Sequence, residues 1–143
     1  MKYIAHRGNT NGITEFENKI EYLKHAYSLG HGLEVDIRHH NNKLYFGHDE
    51  PQEEIDNELV TRPDVFVHLK DFKSVELLAH RKDINMFWHN NDEMVFTTHG
   101  YIWCYPGNNI THTKSIWLCL NDTPIPSVIP DIYGICMDNI RQQ

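Results

Sequence analysis

The sequence predicts a single α/β domain built on a mostly parallel sheet, and three observations carry that expectation. Eight short apolar runs punctuate the chain, two amphipathic segments separate the early ones, and charged or imidazole side chains cluster where several runs end. The runs occupy residues 2–5, 33–37, 43–46, 64–69, 84–88, 100–105, 115–120 and 132–137. They are short, rich in β-branched and aromatic residues, and bounded by Gly, Pro, Asn or Asp, as buried strands are.

Two helices are expected between them. Over residues 14–30 (TEFENKIEYLKHAYSLG), Phe16, Ile20, Leu23, Ala26, Tyr27 and Leu29 recur near helical spacing, with Thr14 placed to cap and Gly30 to stop the helix. Over residues 73–82 the apolar Val75, Leu77, Leu78 and Ala79 are flanked by Asp71 before and Lys82 at the end, the senses that suit a helix dipole. The first half thus reads β-α-β, a hairpin-like extension at 43–46, then β-α-β again, which calls for parallel pairing with crossovers. The later links, 106–114 and 121–131, are long enough to cross over but too rich in Pro and Asn for full helices. No repeat, low-complexity tract or linker divides the chain, so one domain is expected over residues 1–143.

At this length the chain can bury roughly two-thirds of its unfolded surface, and 40% hydrophobic content is that of an ordinary globular protein. A net charge of -7 with no Lys/Arg-rich run argues against a nucleic-acid partner and leaves negative charge for a divalent cation to offset. Cys104, Cys119 and Cys136 are odd in number, widely spaced and each inside an apolar run, the pattern of buried reduced thiols. With no charged-then-apolar leader and no apolar run near about 18 residues, the expectation is a cytoplasmic protein without a membrane span.

The polar clusters carry the chemistry. In parallel α/β proteins, sites form where strands end and loops begin. His6-Arg7-Gly8 follows the first run, and His48-Asp49 follows the third. Glu34 and Asp36 alternate with Leu33, Val35 and Ile37, so both carboxylates face one side of their strand. His68 and Lys70 share a strand face, and His89 follows the fifth run. Paired carboxylates offer hard oxygen ligands to Mg²⁺ or Ca²⁺. Two imidazoles from different strands suit general acid and general base roles near neutral pH. Arg7 and Lys70 supply a fork and a point charge for phosphate oxygens. Metal, acid, base and phosphate clamp together point to cleavage of a phosphoryl ester. For His89, Asp92, Trp103 and Asp138 a place near the mouth and a plain structural role both stand open, and His39-His40 reads as a solvated turn.

The motifs HRG (6–8), Glu17-Asn18, EVD (34–36) and GHD (47–49), in that order over residues 4–49, resemble the glycerophosphodiester phosphodiesterase family of the phosphatidylinositol phospholipase C-like superfamily. A looser likeness continues at VHLKD (67–71) and GICMDN (134–139). The resemblance implies roles by position: His6 and His48 as the acid/base pair, Glu34 and Asp36 as cation ligands, Arg7 and Lys70 on the phosphate. Glu17 and Asn18 would support the site, and Asp49 would orient His48 or begin the following turn. Where the family carries a third carboxylate ligand, this chain has His68, a neutral and softer donor. The carboxylates lead to the expectation of Mg²⁺ or Ca²⁺, and His68 opens Mn²⁺ or Zn²⁺ as alternatives.

The resemblance also implies a fold: a reduced TIM-like (β/α) barrel of seven or eight mostly parallel strands with few outer helices, since the full fold takes about 250 residues. Strand faces stripped of helices would be covered by a partner copy, so a homo-oligomer is expected. The implied activity is metal-dependent hydrolysis of a glycerophosphodiester or similar small phosphodiester. The alternatives are a degenerate barrel that binds a phosphorylated ligand, and a phosphodiesterase or lyase for a sugar-phosphate or phospholipid headgroup.

Overall fold

The computed structural model describes residues 1–121 and 123–142, and its ten strands belong to one sheet. In chain order they are β1 (Lys2–His6), β2 (Gly32–His40), β3 (Lys43–Phe46), β4 (Glu53–Glu54), β5 (Val65–Leu69), β6 (Met86–Phe87), β7 (Met94–Phe96), β8 (Ile102–Cys104), β9 (Ser115–Cys119) and β10 (Gly134–Met137). The helices are α1 (Ile20–Ser28), α2 (Asn57–Val60) and α3 (Phe72–Leu78), with a 3₁₀ turn at Ile140–Gln142. Parallel pairing runs through β6, β5, β2, β1, β10, β9 and β8 in that spatial order. β3 and β4 extend antiparallel from β2, and β7 extends antiparallel from β8.

The expected reduced TIM-like barrel of seven or eight mostly parallel strands is therefore corrected. The sheet is mixed, has ten strands, and carries only three short α-helices, so that about 16% of the chain is helical. Tight turns explain the difference. Asn41 and Asn42 both take positive φ (47° and 60°) between the paired His40 and Lys43, a two-residue loop that reverses the chain and forces β3 antiparallel. Between β7 and β8 the turn ends at Gly100, φ 81°, whose N–H donates to the Thr97 carbonyl at 2.9 Å. Loops this short cannot hold a crossover helix.

The first helix also begins later than the spacing predicts. Residues 15–18 form turns, and α1 starts at Ile20, whose N–H donates to Glu53 Oε2 from β4 at 2.7 Å. Thr14 Oγ1 instead accepts from the Phe16 N–H at 3.1 Å, and Phe16 lies exposed. The first turn is lost because Glu17 and Asn18 are bound elsewhere, as described below. In α3, Asp71, expected only as a charge that suits the helix dipole, caps the helix: its Oδ1 accepts from the Ser74 N–H at 2.8 Å.

Alternation along the strands sorts two apolar layers. One face of the sheet carries Leu33, Val35 and Ile37 of β2 with Val65, Val67 and Leu69 of β5, packed under Leu23 and Ala26 of α1 and Leu78 of α3. The opposite face carries Ile4, Phe66, Phe87, Trp103, Ile116, Leu118 and Cys136. Although β6 and β8 stand at opposite ends of the parallel series, the Phe87 and Trp103 rings stack at 4.8 Å. The sheet thus curls around this second layer, and the Met86 carbonyl accepts from the Thr98 N–H at 2.8 Å. Cys104, Cys119 and Cys136 are buried free thiols, with burial pushing each thiol pKa up. No helix among the described residues is long and apolar enough to cross a membrane.

Candidate functional site

The polar residues stand two positions beyond the enclosed apolar layer, at the carboxyl ends of the same strands. Ile4 leads to His6, Phe66 to His68, Phe87 to His89, Trp103 to Tyr105 and Cys136 to Asp138. Since residues two apart share a strand face, each polar side chain projects above its apolar neighbour. Sheet register finishes the arrangement: His6 pairs with Glu34, and Asp36 with His68. The result is a cleft of about 450 Å³ lined by His6, Arg7, Glu34, His48, His68 and Lys70, with His89, Trp103 and Tyr105 on its far wall.

Arg7 sits at φ 54°, a costly conformation for a non-glycine residue, and its bonds account for it. Its backbone N–H donates to Glu34 Oε2 at 3.3 Å, its Nε pairs with Asp36 Oδ2 at 3.1 Å, and its terminal nitrogen donates to Glu17 Oε2 at 3.2 Å. Asn18, at φ 61°, donates its amide to Asp36 Oδ2 at 2.9 Å and accepts the Asp36 N–H at 3.0 Å. These two residues are why the chain cannot enter α1 until Ile20.

His6 Nδ1 lies 2.7 Å from Asp138 Oδ1, and its Nε2 lies 3.8 Å from Glu34 Oε2. Asn9, fully buried, ties the far side together by donating to Glu17 Oε1 at 2.6 Å and to Asp138 Oδ1 at 2.9 Å. His48 Nδ1 bonds Asp49 Oδ1 at 2.8 Å, while the His48 carbonyl accepts from Arg38 Nε at 2.7 Å. The His68 ring stacks against Phe87 and His89 at centroid distances of 4.7 and 4.8 Å, nearly parallel to both, and those two rings lie 6.4 Å apart. His89 Nε2 in turn hydrogen-bonds the Tyr105 hydroxyl.

The buried charges divide unequally. Burial and the neighbouring Glu34 carboxylate push Asp36 up. For Glu34 burial acts upward too, but His68, His6 and Arg7 overcome it and hold the carboxyl at about 2. His68 Nδ1 stands 3.6 Å from Glu34 Oε1, just beyond hydrogen-bond reach. Burial lowers His6, yet its bond to Asp138 and the Glu34 charge outweigh that and raise it above 6.5. Asp138, likewise desolvated, is drawn down by His6. Burial and the charges of His68 and Lys70 lower His89 to about 4, so it is neutral at physiological pH.

The donor set at Glu34, Asp36 and His68 fits a divalent cation. One oxygen of each carboxylate and an imidazole nitrogen lie within 4.8 Å of one another. Asp36 Oδ1 is buried with no hydrogen-bond partner, facing His68 Nδ1 at 3.5 Å and Lys70 Nζ at 4.0 Å. An orphaned buried carboxylate oxygen costs stability unless something positive meets it. A second grouping, His6, Glu17 and Asp138, spends its facing atoms on the bonds just described and reads as a hydrogen-bonded network.

Of the residues expected from sequence, His6, Arg7, Glu34, His48, His68 and Lys70 line the cleft; Asp36, Glu17 and Asn18 brace it through direct bonds; Asp49 touches only His48 and is otherwise exposed. Trp103 lines the cleft, and Asp92 is not among the lining residues. Sequence did not single out Asn9, Tyr105 and Asn121; for Tyr105 the available signal was the two-residue step from Trp103, and for Asn9 and Asn121 there was none. Asp138, left open by sequence, is the direct partner of His6.

That pairing has a measurable consequence. In Asp138→Asn, NMR titration of the His6 ring is expected to show a pKa below that of the wild type, because burial then acts without its carboxylate partner. The sign for stability follows from a raised folded-state value: the pair's contribution is complete below pH 6.5 and is lost as pH rises through the higher folded pKa. An unchanged His6 titration in the variant would remove Asp138 from the network.

Comparison of the chain with protein-family models, with curated proteins and with solved structures finds no match to any of them.

Proposed function

We propose that this protein is a metal-dependent phosphodiesterase acting on a small phosphodiester of the glycerophosphodiester kind. The observation that carries the reading is that two imidazoles on separate strand ends share one cleft with two cationic side chains and a buried carboxylate pair. The motif resemblance supports the same reading from the sequence side.

In this reading Arg7 and Lys70 bind the non-bridging phosphate oxygens. Asp36 and Glu17 fix the Arg7 guanidinium before substrate arrives. Asp138 holds His6 through Nδ1, which leaves Nε2 to exchange a proton with the substrate. Because its environment favours the protonated form, His6 is the donor to the departing alkoxide. His48, aligned by Asp49, takes the proton of the attacking water or neighbouring hydroxyl. One P–O bond forms as another breaks, and the proton lost by the nucleophile is matched by the one His6 gives to the leaving group. A divalent ion held by Glu34, Asp36 and His68 would supply positive charge against that developing on phosphorus oxygens. Neutral His89 with Tyr105 and Trp103 form an uncharged wall for the rest of the substrate.

The test is release of nitrophenol from bis(p-nitrophenyl) phosphate and of choline from glycerophosphocholine, with added divalent ions, after EDTA treatment, and in His48→Ala. Turnover that requires both an ion and His48 is expected. Absence of release from every diester, or release indifferent to EDTA, would sink the reading.

A further inference from the structure

The proposed metal site has two carboxylates and one imidazole, and the third ligand is the part of it that departs from an all-oxygen cage. Two buried carboxylates alone, as hard donors, suit Mg²⁺ or Ca²⁺. His68 changes the chemistry, because an imidazole nitrogen is a softer donor that hard cations use poorly and first-row transition ions use well. Its position is also fixed in advance. The ring stacks against both Phe87 and His89 with interplanar angles of 16° and 18°, and Nδ1 lies 3.5 Å from Asp36 Oδ1 and 3.6 Å from Glu34 Oε1. The unpartnered Asp36 Oδ1 is aimed at the same point. Local charge agrees with an ion of charge two: Glu17, Glu34, Asp36 and Asp138 carry four carboxylates, against which only Arg7 and Lys70 are permanently cationic.

We infer that the Glu34–Asp36–His68 site is selective for a divalent transition ion of the Mn²⁺, Co²⁺ or Zn²⁺ class over Mg²⁺ and Ca²⁺, and that His68 is the discriminating ligand. The inference rests on the metal site of the function proposed above, but not on turnover. Phe87 and His89 act as positioning residues: by stacking against the imidazole they hold its Nδ1 edge toward the carboxylates and reduce the ring rotation lost on binding.

Any nitrogen- and oxygen-lined site favours transition ions somewhat, so the decisive quantity is the change in preference when the imidazole is removed. Calorimetric titration of metal-free protein with Zn²⁺, Mn²⁺, Mg²⁺ and Ca²⁺ is to be compared in wild type, His68→Glu and His68→Asn. The ratio of Zn²⁺ to Mg²⁺ affinity is expected to fall at least about tenfold in both variants. Pulsed EPR of the Mn²⁺-loaded wild type should show imidazole-nitrogen coupling that His68→Asn abolishes while Mn²⁺ stays bound. Asp36→Asn identifies the site by losing the tight phase, which separates it from the chain's other histidines. An unchanged ratio in a folded variant, or nitrogen coupling that persists in His68→Asn, overturns the inference and leaves the phosphodiesterase reading intact. Failure of the wild type to bind any ion overturns both.

Discussion

His6→Ala is expected to lower kcat for diester release by about 10²- to 10⁴-fold with little change in KM, the range typical for loss of one positioned proton donor. His6 is largely buried, its Nδ1 belongs to Asp138, and the phosphate-directed charges of Arg7 and Lys70 are untouched by the change. Binding should therefore survive while chemistry fails. The variant frees one side of Asp138, which still accepts from Asn9, so a stability loss of about 1–3 kcal/mol accompanies it. Kinetics on both His6→Ala and His6→Gln, corrected for folded fraction by circular dichroism, separate the two effects. A kcat within twofold of wild type would take His6 out of the chemistry.

Gly47→Ala is expected to be the most damaging small substitution in the loop that carries His48. A Cβ there would stand 1.9 Å from the Glu50 carbonyl oxygen, and φ at 151° is a value that side-chain-bearing residues rarely adopt. The backbone on either side is tied: the Gly47 N–H donates to the Asp36 carbonyl at 3.0 Å, and the Gln52 N–H to the Phe46 carbonyl at 2.9 Å. Relief requires the 47–52 turn to open, so roughly 2–4 kcal/mol is lost, with Tm lower by roughly 5–15 °C. Activity should fall further than the folded fraction does, because His48 moves with the turn. Thermal melts and turnover on one preparation check this; a variant melting within about 1 °C of wild type would mean the turn accommodates a side chain.

What was legible in the sequence, and what was not, follows local signals against pairing. All eight apolar runs contain strands, since β-branched and aromatic clusters between breakers leave few other options. β4 and β7 escaped because they are two and three residues long, and most of their side chains reach solvent. The direction of pairing was legible at β3, where the hairpin-like extension returns antiparallel through Asn41-Asn42, both at positive φ. It escaped at β4 and β7, the two antiparallel strands outside the expected runs. The family likeness is carried by the first third of the chain and more loosely by residues 67–71 and 134–139, and none of these stretches covers β4 or β7, where the sheet departs from the expected barrel. Within the site, alternation sufficed to put Glu34 and Asp36 on one face. The shift of α1 from Thr14 to Ile20 was invisible because helical spacing cannot register that Glu17 and Asn18 are held by Arg7 and Asp36.

The bond between His6 and Asp138 joins positions 132 residues apart, on β1 and just after β10. During synthesis His6 emerges 132 residues before the carboxylate that its imidazole meets. β1 likewise lacks one of its two neighbours until β10 docks at Lys2–Ala5. Closing so long a loop is entropically slow and comes late in folding. The cleft is thus completed only when β10 has docked on β1, and its competence reports that the sheet has assembled.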